Sequence, residues 1–193
     1  MLYTLRGKLV KSGDNFLILE SGGFGFKVFS NSETLSRFGK NGEEVMLFCF
    51  LYVREDSFEL YGFLEEEALK LFEMLNSVAG IGPKTALGIL NVDRVENIMA
   101  AIIEKRAELL MRSSGIGQKT AERIILELHN KIKLPRAGIL TKTMDVDLEV
   151  EEALVSLGYS RNQVRKVLGG LGEEPKKLEE RLRQALKLLS RTG

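Results

Sequence analysis

The sequence predicts an α+β chain of several domains, with a small β-barrel first, an all-helical domain in the middle and a three-helix module last. Three observations carry this. The hydrophobic period switches from strand-like to helical at Leu64, a glycine-rich turn occurs twice in the middle third, and a polar stretch follows Leu134. The domains are expected at residues 1–63, 64–134 and 146–193, with residues 135–145 as a flexible linker.

Leu2 to Val10 reads as a strand, and Lys11-Ser12-Gly13-Asp14-Asn15 as a turn. Phe16 to Glu20 and Phe24 to Phe29 follow, separated by Ser21-Gly22-Gly23. Ser32 to Phe38 suits a short helix stopped by Gly39. Glu44 to Val53 and Phe58 to Phe63 are two further strands, joined by Arg54-Glu55-Asp56-Ser57. Five strands with one short helix suggest a closed barrel of the oligonucleotide-binding type.

From Leu64 the pattern is helical. Glu65-Glu66-Glu67 puts acid in a first turn, and Leu69, Phe72, Leu75 and Val78 recur at helical spacing. Helices are expected over Lys84–Leu90, Val95–Glu104, Ala107–Met111 and Lys119–Ile132, the last being the longest. In the tail, Val150, Ala153, Leu154 and Leu157 form one apolar face, ending at Gly158. Val164, Val167 and Leu168 form a second, and after Pro175 Leu178, Leu182, Ala185 and Leu189 form a third.

Composition removes several function classes. The 193 residues are 44% hydrophobic, so a buried core is expected. Cys49 is the only cysteine and His129 the only histidine, which leaves no disulfide, no zinc site and no Ser/His or Cys/His pair. No cofactor or metal is expected. No run approaches the roughly 20 apolar residues of a membrane span, and the first residues do not read as a signal peptide. A cytoplasmic location fits the single thiol. The formal charge is only +1, and no domain is strongly basic: residues 1–62 carry 7 basic and 8 acidic side chains, residues 63–134 carry 10 of each. A nucleic-acid partner must therefore be argued from where charges sit.

Gly80-Ile81-Gly82-Pro83-Lys84-Thr85-Ala86 returns as Gly115-Ile116-Gly117-Gln118-Lys119-Thr120-Ala121. Gly80 and Gly82, and likewise Gly115 and Gly117, allow a tight turn with unshielded N–H groups. The Ile between them can pin the turn to the core. The helix that follows aims its free N–H groups and positive dipole end outward. Lys84 and Lys119 add charge, and Thr85 and Thr120 add hydroxyl donors. The whole suits a phosphate. A single copy could be a plain connector; repetition favours binding. A Walker loop is excluded, because Pro83 and Gln118 separate the last Gly from Lys.

These paired turns are similar to helix-hairpin-helix motifs, which hold DNA backbone without reading bases. Together with Tyr52-Val53-Arg54-Glu55-Asp56, Leu60-Tyr61-Gly62-Phe63 and Gly115 through Arg123, they make the whole chain resemble the RuvA family of Holliday-junction-binding subunits. The resemblance implies an OB-fold barrel, a tandem helix-hairpin-helix domain and a UBA-like tail. It implies phosphate contacts at Gly80, Gly82, Lys84, Thr85, Gly115, Gly117, Gln118, Lys119, Thr120 and Arg123. Gln118 departs from the Lys often found there, and Ser114 from a Pro. Losing that charge weakens binding modestly, while the backbone donors remain.

On residues alone Glu55 and Asp56 are a solvated turn. A paired-carboxylate nuclease is a poor rival, since neighbours on a strand point to opposite faces and no third ligand is near. The resemblance implies instead an acidic pin at the centre of a homotetramer where four DNA arms meet. Two unit charges about 4 Å apart in water interact by only about 1 kcal/mol, so pins bias a junction without melting it. The tail stripe reads chiefly as core. By resemblance the tail also holds the RuvB ATPase motor, with Leu157, Tyr159, Leu168 and Leu171 as exposed contacts, and the RuvC nuclease works on the same complex. The activity so implied is non-catalytic: holding four-way junction DNA open and planar for branch migration in homologous recombination, repair and replication fork reversal. A general duplex binder, a nuclease or ATPase, and a protein adaptor are the alternatives.

Overall fold

Alternation of buried and exposed side chains curls five strands into a barrel: β1 (Thr4–Ser12), β2 (Phe16–Ser21), β3 (Phe24–Phe29), β4 (Glu44–Val53) and β5 (Phe58–Phe63). The computed structural model describes residues 2–38, 40–134, 137–171 and 177–192, without the side chains of 137–141, 191 and 192. It divides into two compact units, Met1–Lys133 and Leu134–Gly193.

The strand order is β1-β2-β3-β5-β4, closed. Neighbours are antiparallel except β3 and β5, which run parallel through Val28↔Leu60 and Phe29↔Tyr61. Closure leaves no free sheet edge. Leu5, Leu9, Leu17, Leu19, Val28, Val45, Leu47, Cys49 and Leu60 fill the interior. Cys49 is buried in the strand packing, and this burial pushes its thiol up to about 11. Gly62 is required by packing: a Cβ there would lie 2.5 Å from Val28 Cγ1 and 3.1 Å from a Leu47 methyl. Helix α1 (Ser32–Arg37) is capped by Asn31, whose side chain accepts from the Thr34 N–H. Gly39, its expected stop, lies outside the described residues.

The helical part of the first unit comprises α2 (Glu66–Asn76), α3 (Pro83–Leu90), α4 (Val95–Ile103), α5 (Ala107–Leu110) and α6 (Gln118–Leu128). Although the sequence suggests a boundary at Leu64, this part shares one unit with the barrel. The Phe72 ring of α2 lies 5.0 Å from Tyr61, 5.1 Å from Phe63 and 5.6 Å from Phe50, and Tyr3 Oη donates to Glu66 Oε1 at 2.7 Å. Such ring pairs contribute about 0.5–1.5 kcal/mol each beyond the area they bury. The expected long helix over Lys119–Ile132 is shorter. It ends at Leu128, spanning 11 residues like α2, and the His129 ring nitrogen Nδ1 bonds to the Ile125 carbonyl at 2.9 Å while the chain turns away.

The second unit contains α7 (Ala137–Ser156), α8 (Arg161–Gly169) and α9 (Leu178–Thr192). Here the linker expectation fails. Residues 137–145 are the first turns of α7, and Thr143, Val146, Val150 and Leu154 recur on one face of it, Thr143, Val150 and Leu154 buried and Val146 packed against the core. With no Gly or Pro between Gly138 and Gly158, the polar composition did not prevent a helix. Val150, Leu154, Val164, Leu168, Ala185 and Leu189 form the core. Leu178, expected inside, is exposed at the start of α9. Pro175 lies outside the described residues.

Two ion-pair groups brace these helices. Arg181 of α9, only 2% exposed, pairs bidentately with Asp147 of α7, its Nη2 2.8 Å from Oδ2. Glu151 receives Arg165 Nε at 2.9 Å, with Arg161 at 3.7 Å. Removing one partner leaves a desolvated charge. Asp147→Ala is therefore expected to destabilise the second unit by about 2 kcal/mol and leave the first unchanged. Hydrogen exchange on the full chain checks this; unaltered protection in α7 and α9 would contradict it.

Candidate nucleic-acid interface

The two glycine turns adopt the same backbone conformation. Gly80 and Gly115 both sit at φ 83°, in the left-handed region that only glycine enters freely. Gly82 (φ −91°, ψ 172°) and Gly117 (φ −93°, ψ 174°) then cap α3 and α6 without side-chain help. Each turn is closed by the N–H of its central isoleucine, Ile81 to the Val78 carbonyl at 3.0 Å and Ile116 to the Ser113 carbonyl at 3.1 Å. Both isoleucines are buried, pinning the turns as expected from their sequence. The first N–H groups of α3 and α6 have no carbonyl four residues back in the helix, although the Thr120 N–H bonds to the Gly117 carbonyl at 3.1 Å. Pro83 removes one donor from the first turn, and Gln118 retains it in the second. A Cβ placed on Gly82 or Gly117 would meet nothing within 4 Å, so no packing inside the chain demands glycine at either place.

Lys84 and Lys119 are exposed, with Thr85 and Thr120 half-buried beside them. Gln118 Nε2 is already engaged, donating to Glu122 Oε1 at 2.6 Å. Arg123, expected at phosphate, donates from Nη1 to the Ala79 carbonyl at 3.0 Å. The helix of the second turn thereby holds the first. That clasp was not legible from the motif. Its one signal is a break in the repeat, since Arg123 falls where the first copy has Gly88, whose face lies against Ser113 Oγ.

In the barrel, Arg54 N–H donates to the Ser57 carbonyl at 2.9 Å and closes the hairpin between β4 and β5. Glu55 and Asp56 are exposed at its tip. The Arg54 guanidinium folds back over the Tyr52 ring, 4.9 Å from its centroid. Two residues beyond Ser57, Glu59 accepts from Tyr61 Oη at 2.8 Å and lies 3.6 Å from Lys84 Nζ. Burial, then the Glu59 carboxylate, pushes the Tyr61 phenol well above its usual range. Sequence reasoning missed Glu59, because nothing local ties a strand residue to a helix start 25 positions later. Among the described residues no group of three or more His, Cys, Asp or Glu could hold a metal ion, and no helix is long and apolar enough to cross a membrane.

In the second unit Leu157 is 65% exposed, while Tyr159 and Leu171 are half-buried against the core. Leu168, expected as an exposed contact, is 7% exposed and belongs to the core. It lies on the same face of α8 as buried Val164, and that spacing takes it inward.

Comparison with known proteins covers nearly the whole chain. Residues 1–62 match the RuvA N terminal domain, residues 72–130 the SAM-like helix-hairpin-helix tandem, and residues 148–190 the RuvA C-terminal domain. A relative from Acetivibrio thermocellus is 38% identical over 201 residues, covering 99% of this chain and all of its own length. Relatives from Chloroflexus aggregans and Dehalococcoides mccartyi are each 40% identical, covering 97% and 96% of this chain and 97% of their own length. All three carry the name Holliday junction branch migration complex subunit RuvA. With all three of its parts matched and its full length shared, the chain belongs to the RuvA family.

Proposed function

We propose that this chain binds four-way junction DNA through backbone phosphates and serves branch migration as a non-catalytic subunit. The observation that carries the reading is the pair of turns. They share one backbone conformation, each start a helix whose first N–H groups lack a carbonyl four residues back, and keep glycine where no internal contact requires it. A phosphate approaching those N–H groups supplies the missing reason for glycine. Gly80, Gly82, Lys84 and Thr85 form one grip, and Gly115, Gly117, Gln118, Lys119 and Thr120 the other. Arg123 sets the first turn and lies beside it. Such contacts are sequence-independent, and a few of them give binding of only about 10⁻⁴–10⁻⁶ M.

Selectivity for a junction comes from repetition. A homotetramer presents its grips in a fixed geometry, so only DNA with matching arms fills them together. Glu55 and Asp56 stand at the centre and repel phosphates of duplex running straight through. The second unit recruits the RuvB motor through Leu157, Tyr159 and Leu171, and the RuvC nuclease acts on the same assembly. Recombination, repair and fork reversal in the cytoplasm follow from that role.

The test compares a four-way junction with linear duplex of equal length at one salt concentration, with mass in solution measured on the same sample. The junction is expected to bind more tightly to a tetramer; equal affinities reject the reading. In the same assay, Glu55→Lys with Asp56→Lys is expected to strengthen binding to both DNAs and to narrow the difference between them. A difference that stays unchanged removes the pin from the account. Cleavage of the junction with Mg²⁺ alone, or ATP hydrolysis by the purified chain, would overturn its non-catalytic role.

A further inference from the structure

We infer that Glu59 is a specificity-determining residue that occupies Lys84 in the free protein as an internal stand-in for phosphate, making the first grip weaker than the second. The inference rests on Lys84 being a phosphate contact. Glu59 lies on β5 opposite Tyr52, at the foot of the acidic hairpin. Its side chain is 23% exposed against 82% for Lys84, so the carboxylate is the enclosed partner and the ammonium the solvent-exposed one. One oxygen, Oε2, accepts from Tyr61 Oη at 2.8 Å, and the Tyr61 ring is itself buried, packed against Phe29 and Phe72 at 5.6 Å and 5.0 Å. The other, Oε1, faces Lys84 Nζ at 3.6 Å.

A carboxylate oxygen offers an ammonium the same charge-assisted contact as a phosphate oxygen. DNA arriving at the first turn must therefore displace Glu59 before it gains Lys84. The carboxylate also stays behind as a third negative group beside Glu55 and Asp56. Lys119, at the matching place in the second turn, has no ion pair among the described residues. A duplex touching one grip gains little from the first turn, whereas a junction filling all grips together overcomes the competition.

Glu59→Gln separates the charge from the scaffold, since Gln keeps an acceptor for Tyr61. Junction affinity of the full chain is measured at about 0.1 M salt for the wild type, Glu59→Gln, Lys84→Ala and the double variant, with thermal melts confirming equal folding. Glu59→Gln is expected to tighten binding about two- to fivefold, the range of a solvent-exposed ion pair. The gain should disappear when Lys84 is already Ala. No gain, weaker binding, or the same gain in both backgrounds overturns the inference while the phosphate role of Lys84 stands. Should Lys84→Ala alone leave affinity untouched, that underlying role fails, and the inference with it.

Discussion

Lys84→Ala combined with Lys119→Ala is expected to weaken junction binding at 0.1 M salt by roughly 60-fold for every pair of grips in use, and to flatten its salt dependence. Each phosphate contact releases condensed counterions, which contributes about 0.9 to the slope of log affinity against log salt. Two lost contacts per chain therefore remove about 1.8 from that slope for every pair of grips in use. Both lysines are exposed at helix starts, so the substitutions create no cavity and strand no buried group. Fold and melting temperature should be retained, which separates this result from simple unfolding. The slope is the decisive readout, because loss of a protein–protein contact would lower affinity without changing it. Binding that falls while the slope holds would assign the lysines to assembly. Binding that does not fall at all would favour a protein adaptor.

The same two lysines show how far the sequence can be read. The repeat made the grips legible because each is local: seven consecutive residues set the turn, the buried isoleucine and the helix start. The barrel was legible for a similar reason, with strand period and turn residues marking β3, β4 and β5 to the residue. What escaped depends on distant partners. Glu59 meets Lys84, and Arg123 meets Ala79, only after the helices pack on the barrel and on each other. Composition also misled at residues 137–145. Polar residues there suggested a linker, yet Thr143 starts the buried stripe of α7. Leu168 erred in the opposite direction, since it follows buried Val164 by four residues and so falls on the inner face of α8.

A second large effect is expected from the glycines, and it divides them into two kinds. Gly80 and Gly115 hold φ at 83°, so alanine at either is strained and should destabilise the first unit by about 1–2 kcal/mol. Gly82 and Gly117 have φ near −90°, which any residue adopts, and a methyl on either points into open space. Alanine there lowers the entropy of the unfolded chain, worth about 0.4–1 kcal/mol, and is a somewhat poorer helix cap. These two terms oppose each other, leaving stability nearly unchanged. Binding is a different matter. The methyl stands where a phosphate must approach the helix N–H groups, and a hydrogen bond to a charged group contributes about 1.5–3 kcal/mol. Gly82→Ala with Gly117→Ala should thus bind junction DNA at least tenfold more weakly while melting close to the wild type. Gly80→Ala with Gly115→Ala should instead melt at a clearly lower temperature. If the first pair binds normally, the open space above Gly82 and Gly117 is not where DNA lies, and the grips must work through their lysines alone.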